Sequence, residues 1–135
     1  MATNKEPIFG NAVLGDGVTF TSADTTVKKD VIAAASIPAD GLLLEDVVVC
    51  TDDTAAVNLA FYLHNGSASL YIGNVNIPIG SGYTTVALVE ALRTLKPDLG
   101  LMTIKSGQKL EANCVATMTA AKTTTITWQG KSYVA

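Results

Sequence analysis

Few residues in this chain could do chemistry. His64 is the sole histidine and stands directly before Asn65-Gly66. Hydrolytic triads need a base that titrates near neutrality and a second group to orient it. No Asp, Glu or Cys lies within several residues of His64 to do this, although a partner could come from elsewhere in the fold. Paired carboxylates, as in glycoside hydrolysis, are the next possibility. The candidates are Asp16, Asp24, Asp30, Asp40, Asp46, Asp52, Asp53, Glu90, Asp98 and Glu111. Most fall at turn signals, where Asp bonds its own backbone, so solvated turn acids are expected. Asp52-Asp53 with Asp16 or Asp40 could hold calcium, but the EF-hand pattern is missing. Cys50 and Cys114 have neither CxxC spacing nor a nearby histidine, which argues against zinc. Two buried free thiols are expected, with a disulfide between facing strands as the alternative. Gly80-Ser81-Gly82 lacks the Lys-Ser/Thr of a phosphate loop and reads as a connection. No catalytic set, metal site or cofactor is expected, and an enzyme is the weakest reading.

The elements that would carry these residues are mostly strands. Residues 1–12 are polar and patternless, an N-terminal arm, and residues 13–135 form a single domain. From Val18 an alternating segment begins. Residues 27–37 place Val27, Val31, Ala33 and Ala35 on one side. LLLEDVVVCT, 42–51, is apolar on both parities, as in a strand covered on both faces. In residues 55–64, Val57, Leu59, Phe61 and Leu63 share one parity, and Asn58, Tyr62 and His64 share the other. Asn65-Gly66 then signals a hairpin turn, because both residues tolerate positive φ. Leu70 and Ile72 mark a face of the return strand. Residues 84–95 have helical spacing through Val86, Val89 and Leu92, with Thr84 or Thr85 as cap and Pro97 as stop. Strands follow at 100–105, 109–118 and 123–130. In the last of these Ile126 and Trp128 are in phase, so Trp128 is expected to be buried or in an interface. The sum is an all-β fold, a jelly-roll-like antiparallel β-sandwich with one short helix.

Composition narrows the partners. Net charge is −3 and charged residues are 16% of the 135, below the usual ~25%. Mean hydropathy is +0.33 and the pI is near 4.9. The longest basic run is Lys28-Lys29, so nucleic acid is not an expected partner. No apolar run is long enough to span a membrane. The opening residues lack the apolar core of a signal peptide, so synthesis and retention in a cytoplasm are expected, and the Asn65-Gly66-Ser67 sequon reads as a turn. A skin with so few charges is expected to meet other protein.

The stretch from Phe61 to Ala116 resembles a group of small structural proteins of tailed-bacteriophage virions. The similarity lies in Leu63-His64-Asn65-Gly66, in Gly73-x-Val75-x-Ile77-Pro78, in the Leu-rich 86–95 segment and in Leu101–Val115. These are turn and core motifs, and they cover the middle and C-terminal thirds. The resemblance implies a capsid decoration (cement) protein on the capsid exterior. Such a protein binds the major capsid protein and itself, as homodimer or homotrimer, in a virion assembled in a bacterial host. A tail or baseplate protein, or a carbohydrate-binding host-attachment module, is the alternative. On this reading the contact candidates are Lys5, Pro7, Ile8 and Phe9 in the arm, and Tyr62, His64 and Tyr71 on the polar parity of the hairpin. The arm is expected to lie against a neighbouring subunit, by strand addition.

Overall fold

In the computed structural model, residues 13–133 except Leu99 are described. Nine strands appear in chain order: β1 (Val13–Thr21), β2 (Lys29–Ile32), β3 (Leu42–Thr51), β4 (Val57–His64), β5 (Ser69–Ile77), β6 (Val89–Glu90), β7 (Met102–Ile104), β8 (Lys109–Cys114) and β9 (Thr123–Ser132). One α-helix, α1 (Ala91–Leu95), and two short 3₁₀ turns complete them. The strands form two sheets, one ordered β1-β9-β3-β6 with β7 also on β3, the other β2-β8-β4-β5. Every pairing is antiparallel. The fold is an all-β sandwich with one short helix.

Period-two alternation supplies the core. Phe20, Leu42, Leu44, Val47, Val49, Ile126 and Trp128 come from the first sheet, and Leu59, Phe61, Val75, Ile77, Leu110 and Cys114 from the second. Each large side chain so buried contributes about 1.5–3 kcal/mol. Trp128 is buried as expected, with Thr127 and Gln129 exposed on the opposite parity.

Three bulges change the expected parity. In β3 the register steps from Leu44↔Gly130 to Asp46↔Gln129, leaving Glu45 as the extra residue. The buried set therefore switches from Leu42 and Leu44 to Val47, Val49 and Thr51. The phase change turns apolar residues of both parities inward, while Leu43, Val48 and Cys50, which point outward, are half-buried rather than exposed. In β5 the step between Phe61↔Gly73 and Tyr62↔Tyr71 skips Ile72. Leu70 on its far side is exposed, whereas Val75 and Ile77 are buried. Gly73 allows this turn of phase: its φ is +155°, and a Cβ there would sit 2.9 Å from Leu95 Cδ2. In β2 the step falls at Val31, so Val31 and Ile32 are both buried. The single face expected over 27–37 is thus lost, with Val27 exposed and Ala35 exposed.

The helix is shorter than its spacing predicts. Residues 84–88 are turn and coil, Val89–Glu90 pairs with β3, and only Ala91–Leu95 is helical. Thr84 caps no helix; its hydroxyl donates to Gly80 C=O at 3.1 Å and accepts from the Val86 N–H at 3.2 Å. The Thr- and Val-rich run before Ala91 favours extended backbone. The unpaired edge of β3 offers it hydrogen bonds that a lone first helical turn does not. Ala91 and Leu92 are the buried residues of the helix, and Leu95 packs half-buried against the core.

Candidate docking face

Pairing across β2, β8, β4 and β5 brings distant polar residues into rows on the outer face of the second sheet. One row runs Asp30, Glu111, Tyr62, Tyr71 and the next Lys109, His64, Ser69. A third holds Asn113, Ala60 and Asn74. Alternation dictates this, since the inward residues of the same strands, Leu59, Phe61, Leu110 and Ala112, are in the core.

The rows are tied together. Ser69 Oγ donates to Glu111 Oε1 at 2.6 Å. Lys109 Nζ lies 3.0 Å from Asp30 Oδ1 and 3.7 Å from Glu111 Oε2. The hydrogen bond to Asp30 raises the Lys109 pKa, and the Glu111 charge adds to it. Glu111, one of the acids expected to be solvated, is only 8% exposed. Its neighbours cover it, and Ser69 and Lys109 engage both its oxygens. The Tyr62 and Tyr71 rings meet edge to face, 5.8 Å apart. Lys28 Nζ stands 4.1 Å over the Tyr62 ring, a geometry in which the ring quadrupole attracts the cation. Tyr71 is 60% exposed. The face therefore presents an aromatic edge beside a paired-charge cluster of Asp30, Lys109 and Glu111.

The structure brings together three of the sequence-predicted contact residues, Tyr62, His64 and Tyr71. Lys5, Pro7, Ile8 and Phe9 lie outside the described residues, as does the whole 1–12 arm. Sequence reasoning missed Lys28, Asp30, Ser69 and Glu111 as members of the same face. The hairpin register alone could have supplied Ser69 opposite His64. Glu111 required the long-range pairing of β4 with β8.

His64 is half-buried and its Nδ1 accepts a hydrogen bond from the Gly66 N–H at 3.1 Å. Lys109 and Ser69 are its cross-strand partners, and neither is a carboxylate. Asp53 departs from its expected role as a solvated turn acid, being 2% exposed. Its Oδ1 accepts from the Ala55 N–H at 2.9 Å and its Oδ2 from the Thr119 N–H at 3.0 Å, joining two loops. Burial pushes the Asp53 carboxyl up, but the hydrogen bonds from Thr119, Ala55 and Thr54 outweigh it and hold the group below the ordinary aspartate value. Asp24 is lowered chiefly by the Thr21 backbone N–H, with Lys29 assisting. Cys50 and Cys114 are both free; Cys114 is buried and Cys50 half-buried. Among the described residues, no cluster of three or more His, Cys, Asp or Glu could hold a metal ion, and no helix is long and apolar enough to cross a membrane.

A second surface feature lies at the edge of β3. Gly80-Ser81-Gly82 belongs to a defined turn: the Thr51 N–H donates to Ser81 C=O at 2.9 Å and the Gly82 N–H to Val86 C=O at 2.8 Å. Gly82 has φ +81°, and a Cβ on it would come within 2.7 Å of Cys50 Cβ. This turn nonetheless exposes Ile79, Tyr83, Val86 and Leu88, at 55%, 55%, 39% and 46%. No protein-family model, curated protein or solved structure matches the chain.

Proposed function

We propose that this chain is a structural bacteriophage protein that binds the outer face of an assembled shell and bridges neighbouring major capsid subunits, acting as a homo-oligomer. The observation that carries this reading is the hydrogen-bonded turn 79–88, which holds four large apolar side chains out of the core. An ordered apolar patch on a chain with few charges is the surface of a protein that is covered by another protein. The aromatic edge at Tyr62 and Tyr71 supplies a second contact of the kind enriched at interfaces.

Strand order supports the jelly-roll part of the reading. With β6 and β7 counted as one interrupted strand, the pairs β1–β9, β2–β8, β3–β6/β7 and β4–β5 are nested like one long hairpin. Rolling that hairpin places β3 beside β9 and β4 beside β8, the two remaining pairings. That order is the one a winding of two linked Greek keys would give.

The mechanism is linkage. A protein that binds only the assembled shell stabilises it by about 2.7 kcal/mol per site when present at 100 times its Kd. Repeated over equivalent sites, the effect resists internal pressure. Co-sedimentation with shells stripped of the protein tests this. A Tyr83→Asp, Leu88→Asp double variant that keeps its fold should fail to saturate the shells, and deletion of residues 1–10 should weaken binding. Saturation by the folded double variant at wild-type concentrations would end the proposal. Tyr71 favours a second reading, a glycan-binding attachment module, because an exposed ring on a sheet face can stack on a sugar. A glycan-array signal lost on Tyr71→Ala, with shell binding absent, would select that reading.

A further inference from the structure

The turn joining β4 to β5 arranges three groups around one peptide bond. The Gly66 N–H donates to His64 Nδ1 at 3.1 Å. The N–H groups of Ser67 and Ala68 both donate to Asn65 Oδ1, at 3.0 and 2.9 Å. Asn65 and Gly66 are exposed, and the turn is closed by the Asn65 N–H on Ala68 C=O at 3.1 Å. Because Nδ1 accepts, the neutral imidazole carries its proton on Nε2 and Nδ1 is free to act as a base. The geometry points to Asn65 as a self-modification site, at which His64 promotes attack of the Gly66 nitrogen on the Asn65 side-chain amide.

The nucleophile, base and oxyanion donors belong to consecutive residues, so no bimolecular encounter is needed. The Gly66 N–H proton passes to His64 Nδ1 as the nitrogen bonds to Asn65 Cγ. The charge that develops on Oδ1 is held by the Ser67 and Ala68 N–H groups, which already point at it. Collapse breaks the Cγ–Nδ2 bond, and the proton on His64 goes to the departing nitrogen, which leaves as ammonia. The product is a five-membered succinimide. Water then opens it at either carbonyl, to aspartate or to isoaspartate. Gly66 has no side chain to hinder the attack, and Asn65 is the only one of seven asparagines followed by glycine.

The charged groups around His64 are few. Lys109 of β8 is its cross-strand partner and is itself paired with Asp30 and Glu111. Ser69 faces it from β5 and Tyr62 precedes it on the same face of β4. Modification would add a carboxylate at the rim of the docking face and, as isoaspartate, an extra backbone carbon in the closed turn. The hairpin tip would then age from neutral to negative.

Peptide mass mapping of the full chain, sampled during incubation in mildly alkaline buffer, tests this. Succinimide and then aspartate or isoaspartate should accumulate at Asn65 while the other six asparagines stay intact. His64→Gln keeps a side-chain acceptor but removes the base, and should slow the conversion by about 100-fold or more. The wild-type rate should fall once acidification protonates the imidazole, a break that His64→Gln lacks. Equal rates in the two proteins, or an Asn65 no faster than the other asparagines, would overturn the proposal. If His64→Gln unfolds, the wild-type pH profile decides: a rate that tracks hydroxide with no break excludes His64 as the base.

Discussion

Replacing Asp53 by alanine should cost this fold about 3 kcal/mol. The Asp53 carboxylate is 2% exposed and accepts from the Ala55 and Thr119 N–H groups, at 2.9 and 3.0 Å. It thereby ties the β3–β4 loop to the segment between β8 and β9. Alanine leaves two backbone donors without acceptors, each at about 1–3 kcal/mol if water cannot reach it, for a total of about 3 kcal/mol. For a chain of 135 residues, an unfolding entropy of ~2.1 cal/mol/K per residue converts this into a fall of about 10 °C in Tm. Asp53→Asn keeps one carbonyl acceptor and should lose about half as much. The pH dependence has a definite sign. A carboxyl held below its ordinary value contributes stability above the unfolded value and loses it as pH falls through the folded one. The gap in Tm between wild type and Asp53→Asn should therefore close on acidification below pH ~4. Differential scanning calorimetry from neutral to acid pH measures both quantities. An Asp53→Ala protein that melts with wild type at neutral pH, or a gap that widens in acid, would refute the clamp.

Two further outcomes follow from burial. Phe61 is fully buried between the sheets, so Phe61→Ala should cost about 3–5 kcal/mol in urea unfolding with the midpoint lowered accordingly. A loss under about 1 kcal/mol would mean that the two sheets do not close over this residue. Burial also pushes the Cys114 thiol up to about 11, whereas Cys50 is half-buried on the outside of the first sheet. A thiol reagent at neutral pH should label Cys50 first and reach Cys114 only on unfolding; simultaneous labelling would contradict the placement of Cys114 in the core.

Local alternation made the strands legible, and long-range pairing hid the rest. Val57, Leu59 and Phe61 could be assigned to a core face because β4 keeps one phase over those positions. Leu70 and Ile72 could not, because the bulge at Ile72 reverses the phase of β5 between them and Val75. A bulge has no fixed residue signature. Glu45 and Ile72 share nothing, and each is visible only against its partner strand. The 86–95 segment failed for a related reason. Its spacing suits a helix, yet β3 exposes an edge at Val48 and Val49 that Val89 and Glu90 satisfy as a strand.

The face around Tyr62 shows the same division between what one strand reveals and what the fold adds. The parity of β4 alone placed Tyr62 and His64 outward, and the Asn65-Gly66 turn placed Tyr71 nearby. The charges of the site come from β2 and β8, 32 residues before and 49 after Tyr62 at Asp30 and Glu111 in this numbering. Nothing in the local pattern around Glu111 distinguishes a carboxylate nearly covered by Ser69, Lys109 and Tyr62 from one in open water. Its burial is a product of register: shift β8 by one residue against β4, and Glu111 would point into the apolar core while Leu110 faced solvent. The docking face and the core are thus fixed by the same pairing. A surface built in this way is held by strand register and by charges paired within it, as at Lys109 with Asp30 and Glu111, which suits the proposed docking on another protein surface.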